Sequence, residues 1–201
     1  MRVPHVSRPM RTLVGGTVCL AILAGMMVGH AWPLWTGETV LLRARPVDPR
    51  DLFRGEYVRL DTPATRLFVV EGTRTAPTGA VPVRPLGAWQ KHDTMENRHV
   101  RTGSAAYVQL ERRDSGEHEP VSISSTPVEN AMNLRGRVRR RSTDGTVYVD
   151  YGLDAFYMQE GTAKPVELAL LDGRGVQMQV AIASSGRARI RTLLVDGVPV
   201  R

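Results

Sequence analysis

The sequence contains a single cysteine, Cys19, and this residue lies inside an apolar run. No disulfide can therefore form within one chain, so a domain outside the cell would depend on packing alone for its stability. Lysine is nearly absent, since only Lys91 and Lys164 are present. A mechanism that needs a desolvated lysine as its base therefore has few candidates, and neither of them lies in a suitable strand-like segment.

Acidic residues are fewer than basic ones: 27 lysines and arginines stand against 20 aspartates and glutamates, for a formal net charge of +7. Part of this excess, Arg2, Arg8 and Arg11, precedes the apolar run. The sequence also lacks the zinc-ligand spacing and the interleaved aromatic and basic residues of nucleic-acid-binding modules. We therefore expect no nucleic-acid partner and no cofactor. The basic residues are interpreted as a solvated face with weak attraction to anionic lipid head groups.

Formal charge is also absent from residues 13–32, LVGGTVCLAILAGMMVGHAW. A helix of this length spans about 30 Å, the thickness of a bilayer core. Basic residues precede the segment, and Trp32 and Trp35 stand at its far end, where indole rings favour the membrane interface. The positive-inside rule predicts a single-pass protein of the inner membrane, with a cytoplasmic tail at 1–12, a transmembrane anchor at 13–35 and a periplasmic domain at 36–201.

A cleaved signal peptide is the alternative for this segment, because Gly29-His30-Ala31 fits a small-x-small cleavage site. The apolar run is long for a signal peptide, which favours an uncleaved anchor. Small residues repeat every fourth position at Thr17, Ala21, Gly25 and Gly29 and would line one helix face. Such a face allows close packing on a helix of a second copy or of a partner, although glycine and alanine are common in membrane helices in any case.

The rest of the chain shows alternation more than helical periodicity, which predicts a mainly β domain, an antiparallel sheet or barrel with minor helical pieces. The clearest alternation is at residues 176–191, where two strands meet at Ser185-Gly186. Residues 134–140 and 146–151 predict a second hairpin, joined through Thr143-Asp144-Gly145. Further predicted strands cover residues 39–47, 56–62, 66–70, 106–111 and 121–123, and a predicted short helix covers residues 167–171.

Glycines and prolines interrupt any long periodicity in residues 71–104. We predict an extended loop here, with a helical turn or two at residues 89–99. Within it, His92, Glu96 and His99 are spaced so that a helix would place them on one face, with Asp93 nearby, and zinc accepts such ligands. The surrounding glycines and prolines favour a loop instead, so we expect no metal site.

Two short stretches carry a more specific pattern. The first is Gly55-Glu56-Tyr57-Val58-Arg59-Leu60-Asp61-Thr62, which follows a turn-forming lead-in at residues 48–54. The second runs from Tyr151-Gly152 to Glu160-Gly161. Both resemble the GDYXXLXY family of membrane-anchored bacterial proteins, and the motif residues are Gly55, Glu56, Tyr57, Leu60, Tyr151, Gly152, Glu160 and Gly161. Glu56 replaces the aspartate of the family name, Thr62 replaces its last tyrosine, and Gln159 stands where proline is expected.

The resemblance covers most of residues 40–197 apart from 71–104, which looks like an insertion. It implies an anchored extracytoplasmic domain that accompanies a multi-spanning membrane protein, and it assigns no catalytic residue. We therefore predict a non-enzymatic binding or scaffolding module attached to a membrane assembly. Gly55 and Tyr57 are expected to shape the turn and the strand rather than to carry chemistry.

Two enzymatic alternatives stay open. Asp154 with Glu160 or Glu56 could act as the paired carboxylates of an envelope hydrolase, but sequence separation alone fixes no distance between them. A turn followed by a hydrophobic strand also resembles signal peptidases and related self-cleaving proteases, which need a nucleophilic serine just before the turn. Pro49-Arg50-Asp51 occupies that position, so a relative of this kind would have lost its catalytic dyad.

Overall fold

The structure is a computed structural model that describes residues 8–46, 57–69, 81–85, 101–142, 145–158, 166, 168–169 and 172–200. These residues contain one long helix, α1, Arg8–Thr36, and a 3-10 turn, Pro63–Thr65. The strands are β1 Glu38–Arg43, β2 Arg45–Pro46, β3 Tyr57–Asp61, β4 Arg66–Val69, β5 Val81–Pro85, β6 Ala105–Arg112, β7 His118–Ser124, β8 Met132–Arg141, β9 Thr146–Asp150, β10 Ala155–Tyr157, β11 Val176–Ile182, β12 Ala188–Val195 and β13 Val198–Pro199. All of their pairings are antiparallel.

Helix α1 is apolar along most of its length, and its residues 12–30 are exposed. The segment Thr12–Thr36 is long and apolar enough to cross a membrane, so the helix predicted at 13–35 is present with the length and composition of a membrane span. The helix ends at Thr36, and the amide of the following Gly37 donates to the Pro33 carbonyl at 2.9 Å. A Cβ on Gly37 would lie 2.9 Å from the backbone of Ile182, so glycine lets the helix end approach β11.

Six strands close into a barrel in the order β4-β5-β7-β6-β8-β9. In β6 the alternate residues Ala106, Val108 and Leu110 are apolar and buried, because successive side chains of a strand point to opposite faces. The hairpin predicted from residues 134–140 and 146–151 is confirmed as β8 paired with β9. Closure pairs both edges of each barrel strand, which limits edge-to-edge association in a domain without disulfides.

A second sheet has the order β1-β11-β12-β13, and the hairpin predicted at 176–191 is confirmed as β11 paired with β12. A third sheet has the order β10-β3-β2. The prediction of a single strand at 39–47 is wrong in one respect. The chain divides at Ala44 into β1 and β2, which pair in different sheets. Burial alternates through this division at Val40, Leu42 and Ala44, so periodicity does not reveal it.

The loop predicted at 71–104 is corrected in part, because Val81–Pro85 is β5 of the barrel. Its first residues pair with β7 and its last residues pair with β4. Pro82 and Pro85 therefore each face a neighbouring strand on one side only. This explains why this strand tolerates prolines, which lack an amide hydrogen to donate. The candidate metal ligands of the same stretch, His92, Asp93, Glu96 and His99, lie outside the described residues.

The turn between β11 and β12 packs directly on the barrel. The Arg135 amide of β8 donates to the Gly186 carbonyl at 2.8 Å. Gly186 has a φ of +79°, and a Cβ on it would lie 2.8 Å from Cβ of Arg135, so a side chain would be both strained and too close. Nε2 of Gln177, in β11, also donates to Oε1 of Glu117 at 2.6 Å. These contacts hold the second sheet against the barrel.

The predicted fold class is confirmed: the chain is mainly β, its sheets are antiparallel, and one apolar helix precedes them. The short helix predicted at 167–171 is partly described, since Val166, Leu168 and Ala169 are helical. Gly173, which follows, has a φ of +70°. Glycine at such a position commonly ends a helix.

Candidate functional site: a cleft between the two motif segments

The two motif segments lie side by side. β3 carries the first motif, and β10, which follows Tyr151-Gly152, pairs with it so that Phe156 is opposite Val58. The Leu60 amide extends this pairing by donating to the Asp154 carbonyl at 3.0 Å. Segments that are far apart in the sequence therefore form one small sheet. The motif residues Gly55, Glu56, Glu160 and Gly161 lie outside the described residues, and only the backbone of Tyr57 is described.

Tyr151 joins the second motif to the 3-10 turn that follows the first. Its hydroxyl donates to the Ala64 carbonyl at 2.8 Å. The side chain is only 9% exposed, and burial raises the pKa of the Tyr151 hydroxyl well above its ordinary value. The hydroxyl is therefore protonated at neutral pH and serves as a hydrogen-bond donor within the fold.

Gly136 of β8 provides the space that the Tyr151 ring occupies. A Cβ on Gly136 would lie 2.7 Å from Cδ1 of Tyr151 and 2.5 Å from Cγ1 of Val149. Glycine inside a strand commonly marks such a close approach of neighbouring groups. The second motif can therefore pack on the barrel only where β8 lacks a side chain.

A cleft of about 310 Å³ opens where these elements meet. Its walls come from β3, the 3-10 turn, β4, β8, β9 and the first residues of the second motif. The lining residues are Leu60, Asp61, Thr62, Thr65, Arg66, Arg139, Tyr148, Val149, Asp150, Tyr151, Leu153 and Asp154. Both motif segments and the barrel therefore contribute to one surface, which we call the motif cleft.

Two ion pairs hold charged side chains at the motif cleft. Nη2 of Arg66 lies 3.2 Å from Oδ2 of Asp61. Arg139 donates through Nε and Nη2 to Oδ2 of Asp150, at 2.9 and 2.8 Å. Arg139 lies where the register of β8 against β9 shifts, and both it and Arg140 are exposed. A bulge of this kind re-aims a side chain, and here it directs Arg139 to the cleft.

Asp150 is held in its ionised form. Burial by itself would raise its pKa, but the Gly152 amide, 2.9 Å from Oδ1, and the Arg139 guanidinium outweigh burial, so the pKa of Asp150 lies below its ordinary value. The hydrogen bond to Asp150 in turn raises the pKa of Arg139. Asp150 is therefore suited to orienting a cation or a donor and is a poor proton donor itself.

Replacing Asp150 by asparagine should weaken the dependence of stability on acid pH. The folded pKa of Asp150 is below its ordinary value of 3.8, so its contribution is present above that value and is lost as the pH falls through the folded pKa. We expect the wild type to lose more stability than D150N between about pH 6 and about pH 3. The difference is modest because solvent screens an exposed pair.

Urea unfolding of the full chain in detergent, followed by circular dichroism at both pH values, measures this difference. R139Q should reduce the dependence in the same direction but by less than D150N, because it removes the ion-pair partner of Asp150 and leaves the Gly152 amide in place. R137Q, which leaves the ion pair intact on the same strand, should retain the wild-type dependence. Equal pH dependence in all of these proteins would show that the pair makes no contribution.

A family model described as GDYXXLXY protein matches residues 19–193, which is most of the chain. The chain belongs to the GDYXXLXY family. No curated protein and no solved structure matches it. The matched range begins inside α1 and ends in β12, so it contains all residues of the motif cleft.

Several residues that line the cleft of this GDYXXLXY protein were named from the sequence. Leu60 and Tyr151 line it as motif residues, and Gly152 donates its amide to Asp150. Asp154, a candidate carboxylate of the hydrolase alternative, also lines the cleft. Among the described residues its carboxylate has no hydrogen-bond or ion-pair partner.

The charged residues that the barrel contributes to the cleft were not predicted from the sequence. Arg139 and Arg140 are consecutive exposed residues in a strand, and this break in alternation was the available signal for a bulge. Gly136, a glycine within an alternating strand, was the signal for a close contact. The partners of these residues, Asp150 and Tyr151, depend on the register between strands and could not be read from spacing.

The paired carboxylates of the hydrolase alternative are only partly located, since Glu56 and Glu160 lie outside the described residues. A general acid of this type needs a raised pKa, whereas the pKa of Asp150, which lines the same cleft as Asp154, is lowered. Among the described residues, no group of three or more histidine, cysteine, aspartate or glutamate side chains could hold a metal ion.

The predicted helix-packing residues Ala21, Gly25 and Gly29 are exposed on α1. A Cβ on Gly25 or Gly29 would meet no other group within 4 Å. Packing of this face on another helix stays a prediction.

Proposed function

We propose that this GDYXXLXY protein is a membrane-anchored, extracytoplasmic binding module whose recognition surface is the motif cleft. The observation that carries the proposal is the pairing of β3 with β10, which brings both motif segments to one cleft. Strands hold such a surface rigid, and its ion-paired side chains are already oriented before a partner arrives. This preorganisation lowers the entropic cost of binding.

Helix α1 supports the membrane location. Its apolar side chains are uncovered by the described chain, and Leu20, for example, is 72% exposed. Apolar surface of this extent is unfavourable in water and favourable in lipid. Arg8 and Arg11 at the start of the helix and Trp32 and Trp35 near its end support a cytoplasmic N-terminus in the inner membrane and a periplasmic domain.

The charges of the motif cleft support binding to a polar partner. Asp61 and Asp150 each form a direct ion pair with an arginine, whereas among the described residues Asp154 has only a longer-range electrostatic interaction with Arg139. An exposed carboxylate beside fixed guanidinium groups can accept a hydrogen bond or an ion pair from an incoming segment. We propose a polar segment of a multi-spanning membrane protein as the partner, because the anchor confines the domain to the membrane surface.

Photo-crosslinking in native membranes tests this proposal. A benzophenone amino acid in place of Tyr148, an aromatic residue of the cleft lining, keeps the Asp154 carboxylate and should give a discrete adduct with a multi-spanning membrane protein. The same amino acid in place of Glu129, which is exposed and outside the cleft lining, should not give that adduct. The same adducts at both positions, or adducts only between copies of this chain, would contradict the proposal.

The anchor is tested separately by carbonate extraction of the full-length chain. We expect the protein to stay in the membrane fraction, since a helix of this length and apolar composition partitions into lipid. Release of the chain by carbonate would refute the membrane anchor without deciding whether the cleft binds a partner.

A further inference from the structure

A second recess lies where α1 meets the β11–β12 hairpin. Adjoining cavities of about 520, 310 and 180 Å³ open there, and Gly29 and Arg187 line all of them. Gly29 has no side chain, and a Cβ on it would meet nothing within 4 Å. The glycine therefore keeps an open space between the helix and the hairpin, which we call the helix recess.

Three arginines lie on the domain side of the helix recess. Arg135, Arg187 and Arg189 line it, and no aspartate or glutamate is among its lining residues, all of which are described. Nη2 of Arg189 lies 2.9 Å from Nδ1 of His30 on the helix. Nε of Arg189 is buried and has no hydrogen-bond partner among the described residues. Such a donor is costly to leave unpaired, and an anionic oxygen would satisfy it.

Apart from His30, the helix side of the recess is apolar, and it extends toward the N-terminus of α1. Ile22 and Met26 line the largest cavity together with the arginines. Ile22 is about 10 Å along the helix axis from Gly29, in the direction of the bilayer core. Trp32, which lines the recess near the end of the helix, is 52% exposed at the depth where indole rings mark the membrane interface. A fitting ligand therefore has an anionic head beside the hairpin and an apolar chain along the helix.

We propose that the helix recess binds an anionic phospholipid, with its phosphate on Arg187 and Arg189 and an acyl chain against Ile22 and Met26. Guanidinium groups match the geometry of a phosphate, and the apolar wall favours a lipid over free phosphate. The bound lipid would hold the hairpin, and the barrel on which it packs, at a fixed position on the membrane surface. This inference rests on the proposed function, because it places α1 in the bilayer.

Lipid retention by the full-length chain in detergent micelles, measured by native mass spectrometry, tests the site. The wild type should bind phosphatidylglycerol more tightly than phosphatidylcholine. R187Q/R189Q should weaken phosphatidylglycerol binding about 10-fold or more. R101Q/R137Q removes the same charge from exposed positions outside the recess and should leave binding unchanged.

A steric variant tests whether the open space of the recess is needed for binding, without changing its charge. It also keeps the test valid if the arginine variant misfolds. G29L fills the recess at a position with free space around it, so the fold should tolerate it. It should weaken phosphatidylglycerol binding, whereas G15L, on the same helix outside the recess, should not.

Any one of three results would contradict the proposed lipid site. These are equal losses in the two double arginine variants, unchanged binding by G29L, and phosphatidylcholine binding as tight as that of phosphatidylglycerol. Inorganic phosphate that binds or competes as well as the lipid would identify a phosphate site instead. The measurement in micelles does not depend on the carbonate result, so a failed anchor and a failed lipid site can be told apart.

Discussion

Replacing Tyr151 by alanine should lower the free energy of unfolding by about 3–5 kcal/mol, the usual cost of truncating a buried aromatic side chain. The ring packs against β8, and its hydroxyl donates to the Ala64 carbonyl at 2.8 Å. Y151F keeps the ring and removes only this hydrogen bond, so it should cost about 1–2 kcal/mol through the carbonyl left without its donor. Urea unfolding of the full chain in detergent, followed by circular dichroism, measures both effects.

Tyr157 offers a matched control in the same motif segment, because its side chain is 70% exposed. Y157A should cost less than about 1 kcal/mol, as is usual for an exposed side chain. A loss in Y151A no larger than in Y157A would contradict the idea that Tyr151 joins the two motif segments. No loss in Y151F would show that the hydroxyl is not needed for this junction.

Replacing Gly136 by alanine should lower the free energy of unfolding by about 1–3 kcal/mol, the usual cost of an extra carbon in a filled space. The added Cβ would lie 2.5 Å from Cγ1 of Val149, 2.7 Å from Cδ1 of Tyr151 and 2.8 Å from the Asp150 carbonyl oxygen. Because backbone and two side chains would have to move, the cleft wall formed by Asp150 and Tyr151 should shift as well. The same urea titration measures the loss.

Gly175 is the matched control for this substitution. A Cβ there would have only an ordinary contact, 3.7 Å from Oδ1 of Asp196, so G175A should not destabilise the chain in this way. Y151A supplies a further check, since it removes one of the groups that the new Cβ would strike. G136A should therefore cost less in the Y151A background than in the wild type. Equal losses in G136A and G175A would contradict the close packing of β8 on the second motif.

The sequence identified some residues that line the motif cleft, but it did not predict the cleft itself. The motif residues Leu60 and Tyr151 were recognised because local sequence carries the resemblance, and both line the cleft. The ion pair of Arg139 with Asp150 was missed because it depends on a bulge and on the register between β8 and β9. A cross-strand contact of this kind has no fixed spacing in the sequence.

Two strand predictions, one based on proline and one on alternation, were also corrected by the structure. β5 was predicted as loop, because Pro82 and Pro85 usually interrupt pairing, and only its staggered neighbours explain why the strand forms. The strand predicted at 39–47 kept its alternation through Ala44, although the chain changes sheets there. Local pattern reports which face of a strand is buried, but it does not report which strand lies beside it.

The sequence by itself determined the apolar helix, the β-rich character of the domain, its strongest hairpins and the family to which it belongs. These properties follow from composition and from short-range periodicity, which each segment carries within itself. Tertiary structure alone decided that β3 and β10 pair, that Tyr151 reaches Ala64, and that arginines of the hairpin face the end of α1. Such contacts join segments distant in the chain, and they arise only when barrel closure and sheet packing bring those segments together.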